Sequence, residues 1–210
     1  GAVIATINPV MINEVRKIDP GRWDKVKRRL QRQNPDNSPV EMASCMTMEV
    51  GLANCRELRP IYEATAGRYG YVCLQVNPQN AADPGKMVDE AARLYRDLAE
   101  QLGGAPNVTF KIPGTRAGLE AVREITSRGI PVTVTACASI GQHLAFAREI
   151  EKGTAPVSYL TLMNGRLDDP VRDELLKLGI PDALESSRWA STAVIRKSYG
   201  LLYCDHDYCR

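Results

Sequence analysis

Short apolar runs rich in β-branched residues alternate along the chain with longer segments in which apolar residues recur at helical spacing. The first pattern predicts buried strands, and the second predicts amphipathic helices. The strands are expected at residues 2–9, 70–78, 108 to about 111, 131–137 and 157–163, and the helices at 20–33, 40–65, 84–102, 115–128, 139–152, 170–178 and 183–203. Because strands that alternate with helices in this order are parallel and joined by helical crossovers, the sequence predicts an α/β fold.

Two α/β architectures satisfy this order, an open doubly wound sheet and a (β/α)8 barrel. No G-x-G-x-x-G turn follows any of the strands, which argues against the dinucleotide-binding form of the open sheet. Polar residues stand at or near the strand ends instead, and the active site of a parallel barrel lies at the C-terminal ends of its strands. They are Asn8, Gln75, Lys111, Thr133, Thr135 and Arg166. We therefore expect a (β/α)8 barrel of the TIM type.

Lys111 interrupts the most apolar of these runs and is the leading candidate for a catalytic residue. It stands between Phe110 and Ile112, and Pro113 cannot donate a ladder hydrogen bond, so the strand is expected to end at about Lys111. An ammonium group among apolar side chains loses hydration, and desolvation favours the neutral, nucleophilic amine. The ordinary interpretation is an edge-strand lysine whose head group lies in water. The functional interpretation is a lysine that attacks a carbonyl.

Charge balance and cysteine spacing argue against several other functions. The 27 basic and 25 acidic residues leave a net charge of +2, which indicates neither a nucleic-acid partner nor a membrane surface. The basic run at 25–32 is more typical of a solvated helix face than of a phosphate-binding patch. The six cysteines form no C-x-x-C pair, and the tail Cys204–Cys209 fits no common metal site, so we expect no metal and no cofactor. With no membrane-length apolar run and no signal-peptide pattern, we expect a cytoplasmic protein.

Five segments, in chain order, resemble the transaldolase family, within the group that includes the fructose-6-phosphate aldolases. The first three segments resemble the family's A-T-T-N-P strand, its V-S-x-E-V strand and its lysine strand. The last two resemble its G-I-x-x-x-x-T and V-G-R-I-D-D motifs. In this chain they are Ala5-Thr-Ile-Asn-Pro9, Tyr71-Val-Cys-Leu-Gln-Val76, Val108-Thr-Phe-Lys-Ile-Pro113, Gly129-Ile-Pro-Val-Thr-Val-Thr-Ala136 and Asn164-Gly-Arg-Leu-Asp-Asp169.

The resemblance implies class I aldolase chemistry, in which Lys111 forms a Schiff base with a ketose phosphate. The three-carbon dihydroxyacetone unit is then handed to an aldehyde acceptor, as in the pentose phosphate pathway. Asn8 and Thr133 would hold substrate hydroxyls, Gln75 and Thr135 would hold the catalytic water, and Arg166 would bind phosphate through its planar fork of donors. The partners implied are sugar-phosphate substrates. A homo-oligomer is left open.

Some positions depart from the transaldolase pattern. Gln75 stands where transaldolases carry a glutamate and resembles the simple fructose-6-phosphate aldolases more closely, while Met163 stands where those aldolases carry a tyrosine. The general acid of transaldolases lies on a first barrel strand, and the chain begins at what resembles strand two. We expect residues 1–210 to form a single barrel domain that is incomplete at both ends, with about strands two to six present.

Three other functions follow from these departures. The first is simple aldol cleavage in the manner of a fructose-6-phosphate aldolase, and the second is a catalytically silent barrel relative with a binding role. A third is another lysine-based barrel enzyme, such as a deoxyribose-phosphate aldolase, whose two-lysine arrangement is not evident in this sequence.

Overall fold

The computed structural model describes residues 3–163 and 165–205. Asn164 of the V-G-R-I-D-D-like motif, the first residue of the strand expected at 2–9, and most of the tail Cys204–Cys209 lie outside the described residues. The chain divides into two compact units, one up to Lys111 and the other from Ile112 onwards. Each unit is described by itself.

The described residues of the first unit form three strands and four helices. They are β1 (Ile4–Thr6), α1 (Pro9–Ile18), α2 (Pro20–Gln33), α3 (Pro39–Ala64), β2 (Tyr71–Gln75), a 3₁₀ turn (Pro78–Asn80), α4 (Pro84–Leu102) and β3 (Val108–Pro113), whose last two residues belong to the second unit. β1 pairs with β2 and β2 pairs with β3, both in parallel. Parallel pairing of successive strands through helical crossovers confirms the α/β prediction.

The second unit continues the same alternation. Its elements are α5 (Arg116–Ser127), β4 (Val132–Cys137), α6 (Ile140–Glu151), β5 (Ser158–Leu162), α7 (Gly165–Lys177), α8 (Ala183–Tyr199) and a π-helical stretch (Gly200–Asp205). β4 and β5 are parallel. Among the described residues of this unit, no strand pairs with the other edge of β5, and all five of its residues are only half-buried.

All four helices of the first unit begin with the same local signal. An Asn, Asp or Ser N-cap accepts a hydrogen bond from the first turn, and a proline follows at the first helical position. Proline suits that position because its missing N–H would have no intrahelical partner. The signal at Asn8-Pro9 starts α1, a helix that the sequence pattern did not predict because this dipeptide was interpreted only as the end of a strand.

Other differences from the expected elements are small. β3 continues past Lys111 to Pro113, because a proline at the end of a strand removes one ladder donor without preventing an extended backbone. α7 begins at Gly165 rather than near residue 170, with Pro170 inside the helix, and α8 gives way to a π-helical stretch at Gly200. No helix in the described ranges combines the length and apolar character needed to cross a membrane.

The core of the first unit lies where β2 packs on α3. Tyr71 to Leu74 are buried, and Gly51 lets the strand approach closely, because a Cβ there would lie 2.7 Å from a Leu74 methyl carbon. Asn107, fully buried just before β3, donates its side-chain amide to the carbonyls of Cys55, at 3.0 Å, and Gly70, at 2.7 Å. This one side chain joins α3 to the starts of both β2 and β3.

The core of the second unit lies between β4 and the helices α5 and α6, where Val132, Val134 and Ile125 are fully buried. The pairing of β4 with β5 shifts between Val134 and Cys137, and Ala136 within this bulge has a φ of 60°. A left-handed backbone is uncommon for a residue with a Cβ, and such bulges occur often beside active sites. The bulge stands at the end of β4, next to Thr135.

Candidate active site

In the first unit three of the six predicted site residues stand in one row across β1, β2 and β3. The ladder places Gln75 directly beside Lys111. On the other side, Thr6 pairs with Cys73, and the Ile7 amide donates to the Cys73 carbonyl at 3.0 Å, so the same register continued by two residues brings Asn8 level with Gln75. Neighbouring strands are about 4.8 Å apart, which places these side chains within reach of one small ligand.

The row faces away from α3. Leu74 points at Gly51 of that helix, and side chains alternate along a strand, so Gln75 points to the opposite face of the sheet. Lys111 shares this face because it is the register partner of Gln75. The neighbours of Lys111 in β3, Phe110 and Ile112, are fully buried on the other face.

Lys111 itself is half-buried, as its place at the end of an apolar strand predicts. Among the described residues of the first unit, neither a carboxylate nor a hydrogen-bond acceptor pairs with its Nζ. A lysine without a counter-ion can approach a carbonyl without first breaking a salt bridge. Lys111 therefore stays a candidate nucleophile.

The amide of Asn8 is oriented by the helix that it caps. Its Oδ1 accepts a hydrogen bond from the Met11 backbone N–H at 2.9 Å, at the start of α1. With the oxygen occupied in this way, the Nδ2 group is left to donate to a ligand. Helix α1, which the sequence pattern did not predict, thus gives the Asn8 side chain a fixed direction.

The second unit holds the other three predicted residues. Thr133 is buried, at 4% exposure, whereas Thr135 is half-buried and stands one residue before the left-handed Ala136. Arg166 lies in the first turn of α7 and is exposed, and its backbone N–H donates to the Met163 carbonyl at 3.1 Å. A helix N-terminus favours anions, so an exposed arginine in the first turn suits a phosphate.

Both aspartates of the motif that contains Arg166 are engaged elsewhere. Asp168 accepts hydrogen bonds from the backbone N–H and the hydroxyl of Ser191, each at 3.0 Å. Asp169 forms a 2.8 Å ion pair with Arg172. Among the described residues of the second unit, Arg166 therefore has no carboxylate partner. An arginine whose charge is not neutralised by the protein is available to an anionic ligand.

Gln142 is a residue that the sequence analysis missed. Its side-chain Oε1 accepts from the backbone N–H groups of Ala138, at 2.9 Å, and Ser139, at 3.1 Å, and its Nε2 donates to the Gly114 carbonyl at 2.9 Å. A local signal exists, because Ser139-x-x-Gln142 is a capping box at the start of α6. That signal predicts the helix start but not the bond to Gly114.

Two of the buried thiols, those of Cys55 and Cys137, do not compete with Lys111 as nucleophiles. Burial raises the pKa of Cys55 to about 12, an effect partly opposed by the charge of Arg59. Burial likewise raises the pKa of Cys137 to about 11. Because the thiolate is the nucleophilic form, both side chains stay inert near neutral pH. In the ranges that the structure describes, no cluster of His, Cys, Asp or Glu is arranged to hold a metal ion.

Cavities lie beside the end of β2 and along β5. A groove of about 620 Å³ opens beside Gln75 between α3, α4 and the loop after β2, where Glu90 accepts a 2.8 Å hydrogen bond from the Asn77 backbone N–H. In the second unit, a cleft of about 630 Å³ runs along β5 and is lined by residues of α6 and α8. None of the predicted site residues lines this second cleft.

Comparison with known proteins shows the family of the chain. The family model "Transaldolase/Fructose-6-phosphate aldolase" matches residues 2–206. The chain belongs to this family. It is 35% identical over 156 residues to a transaldolase of Thiobacillus denitrificans, covering 69% of the chain and 42% of that protein. It is 40% identical over 105 residues to transaldolase 2 of a Nostoc species, covering 48% of the chain and 26% of that protein.

A transaldolase of Neisseria gonorrhoeae matches the chain over a longer range, with 31% identity over 192 residues, which is 88% of the chain and 52% of that protein. The chain thus spans from a quarter to about half of the length of these relatives. For a member of the transaldolase/fructose-6-phosphate aldolase family, the row of Asn8, Gln75 and Lys111 is a candidate for the part of the active site that acts on the carbonyl.

Proposed function

We propose that the chain catalyses the transfer of a dihydroxyacetone unit between sugar phosphates through a Schiff base on Lys111. The observation that carries the proposal is the half-buried Lys111, unpaired within its unit and in register with Gln75. Membership of the transaldolase family supports the substrate class. The reaction would belong to the pentose phosphate pathway.

The chemistry begins when the neutral Nζ of Lys111 attacks the ketose carbonyl carbon. The resulting carbinolamine loses water and becomes an iminium ion. Cleavage of the bond between the third and fourth carbons sends its electron pair into the iminium, which leaves an enamine on Lys111, while the hydroxyl of the departing fragment gives up its proton and becomes an aldehyde. The enamine then attacks a second aldehyde, and water hydrolyses the new iminium to release the product and restore Lys111.

The other residues would bind and orient in this scheme. Asn8, with its Nδ2 free, and Thr133 would hold substrate hydroxyls. Gln75 and Thr135 would orient the water that hydrolyses the iminium; a neutral amide positions water but cannot act as the base. Arg166, exposed at the start of α7, would bind the phosphate.

We propose that these elements form part of a (β/α)8 barrel, as the family resemblance implies. The open edge of β5 supports this proposal. Beside that edge lies the apolar cleft of the second unit, where the hydroxyls of Ser158 and Ser198 and the Nδ1 of His143 are buried without a hydrogen-bond partner among the described residues. Buried polar groups are usually paired, so a further strand beside β5 would both continue the sheet and cover the cleft.

Borohydride trapping tests the proposal directly. The full-length protein is incubated with fructose 6-phosphate and sodium borohydride, which reduces the imine to a stable secondary amine, and the modified residue is located by peptide mass spectrometry. We expect the adduct at Lys111 and none in Lys111→Arg. An unmodified wild-type protein would instead indicate the catalytically silent relative.

Gln75 gives a specific reason to consider a second function, aldol cleavage with release of free dihydroxyacetone. Adding erythrose 4-phosphate separates the two, because sedoheptulose 7-phosphate forms only by transfer. We expect transfer, and we expect Gln75→Glu to raise the ratio of transfer to cleavage and to shift its pH profile through the new titrating group. An unchanged ratio and profile between pH 6 and 9 would remove Gln75 from the mechanism.

A further inference from the structure

The backbone N–H and the backbone carbonyl of Gly114 both form hydrogen bonds within the second unit. The Gly114 N–H donates to the Thr135 carbonyl at 2.7 Å, and the Gly114 carbonyl accepts from the Gln142 Nε2 at 2.9 Å. Gly114 follows the end of β3 and is three residues beyond Lys111 in the sequence. The first of these bonds joins the residue after β3 to the backbone of Thr135, the residue proposed to hold the hydrolytic water.

Space around Gly114 is as restricted as its hydrogen bonding. A Cβ at this position would lie 2.8 Å from the Cys137 sulfur, 3.1 Å from the Thr135 carbonyl oxygen and 3.2 Å from the Ala136 carbonyl oxygen. The backbone after β3 therefore packs directly on the bulge of β4. The hydrogen bond from the Gly114 N–H to the Thr135 carbonyl connects this backbone directly to the strand end that carries Thr135.

Gln142 holds the other side of the same bulge. Its Oε1 accepts from the Ala138 and Ser139 N–H groups, immediately after β4, while its Nε2 reaches back to Gly114. One neutral amide thus joins the residues just after β3 to the residues just after β4. Between these points lies Ala136, which has a left-handed backbone. This conformation costs free energy in a residue other than glycine, so the surrounding contacts must stabilise it.

We propose that Gln142 is a positioning residue that sets the direction of Thr135 for imine hydrolysis. The inference rests on the proposed Schiff-base function. Gln142 does not act on the substrate in this proposal. It keeps the bulge and the Gly114 peptide in one arrangement, so that the Thr135 side chain keeps the direction in which it would hold the hydrolytic water.

Gln142→Glu separates this role from simple capping of α6. Glutamate is an equally good capping-box partner for Ser139, so the helix start is kept. A carboxylate cannot donate to the Gly114 carbonyl, so only the connection to Gly114 is lost. Ser139→Ala is the matched control, because it removes the capping hydroxyl, which Gln142 contacts at 3.2 Å, and leaves the Gln142 amide able to reach Gly114.

We expect Gln142→Glu to lower kcat by about ten- to a hundred-fold with KM changed by less than about threefold, since small misplacements in an active site cost rates of this order. Because hydrolysis is the slowed step, the fraction of Lys111 trapped by borohydride during turnover rises above that of the wild type. Hydrogen exchange at the Gly114 amide becomes faster. Ser139→Ala lowers the melting temperature and leaves kcat within about twofold.

Turnover of Gln142→Glu within twofold of the wild type, or equal losses in Gln142→Glu and Ser139→Ala, would overturn the inference and leave the proposed function intact. Absence of any adduct in the wild type would overturn the proposed function and this inference with it. Gln142→Asn, whose shorter amide stays neutral but cannot span to Gly114, serves as the second variant if Gln142→Glu does not fold. The same rise in the trapped fraction is expected for it, and an unchanged fraction counts against the inference.

Discussion

In the first unit the candidate residues stand in a row because three parallel strands keep one register, whereas in the second unit a bulge and side-chain hydrogen bonds shape the strand end. Gln75 and Lys111 need no side-chain contact to be neighbours, since the ladder alone places them. The position of Thr135 depends on the left-handed backbone of Ala136 and on the hydrogen bonds of Gly114. The first arrangement should tolerate changes to surrounding side chains, and the second should be sensitive to them.

The largest expected effect comes from the row itself. Lys111→Arg keeps a positive charge but cannot form an imine, so turnover should fall by at least about a thousandfold. The fold should be unchanged, because the side chain has no partner within the first unit to lose. Steady-state kinetics and circular dichroism measure the two quantities. Activity above about a thousandth of the wild type would show that Lys111 is not the nucleophile.

Asn107 gives the next largest effect, because its side chain joins α3 to the starts of β2 and β3 in the first unit. Asn107→Ala removes two hydrogen bonds and leaves the Cys55 and Gly70 carbonyls without that donor in a buried place, which should lower the free energy of unfolding by about 2–4 kcal/mol. Asn54→Ala is the control, because Asn54 only adds a side-chain bond to the Val50 carbonyl within α3. Urea denaturation that shows equal losses in the two variants would contradict the role of Asn107.

Arg166 tests the second unit's share of substrate binding. Loss of a charge-assisted contact in Arg166→Ala should cost about 1.5–3 kcal/mol, or about ten- to a hundred-fold in kcat/KM, with fructose 6-phosphate. The loss should be much smaller with unphosphorylated fructose or dihydroxyacetone. Equal losses with both kinds of substrate would mean that Arg166 has a structural role, although both neighbouring aspartates are already paired with other groups.

The sequence predicts more of the first unit than of the second, because the strand ends of the two units are held in different ways. Apolar patterns predicted the strands and most of the helices, and α4 was predicted at its observed bounds. In the first unit the polar strand ends predicted that Asn8, Gln75 and Lys111 meet at one edge of the sheet, and the parallel register places them in one row. In the second unit the bulge could not be predicted, because an alanine with positive φ has no sequence signal and is held by tertiary contacts. The bond from Gln142 to Gly114 has the same origin.

Glu149 provides a smaller, pH-dependent effect in the second unit. Hydrogen bonds from Arg123, at 2.7 Å, and Lys152, at 2.9 Å, lower the pKa of this nearly buried carboxyl. A lowered folded-state pKa stabilises the fold above the unfolded-state pKa, and this stabilisation is lost as the pH falls through the folded-state value. Glu149→Gln should therefore cost about 1 kcal/mol at pH 7, and the difference from the wild type should shrink as the pH falls below about 4.

Urea denaturation at several pH values measures this dependence. Glu174→Gln is the control, since Glu174 and Lys177 form an exposed pair at 3.4 Å whose loss should have no measurable effect at any pH. A cost for Glu149→Gln that stays constant down to pH 3 would show that Glu149 acts through packing rather than through its charge.

The last comparison is between two kinds of buried serine in the second unit. The Ser191 hydroxyl donates to Asp168 at 3.0 Å, whereas the Ser198 hydroxyl, equally buried at 3% exposure, has no partner among the described residues. Ser191→Ala should lower the free energy of unfolding by about 1.5–3 kcal/mol, and Ser198→Ala should leave it within about 0.5 kcal/mol, because a buried hydroxyl without a partner contributes desolvation cost and no bond. If thermal denaturation shows that Ser198→Ala is as costly as Ser191→Ala, then the Ser198 hydroxyl has a hydrogen-bond partner in the protein, and the cleft beside β5 is covered by a polar segment such as the additional strand proposed above.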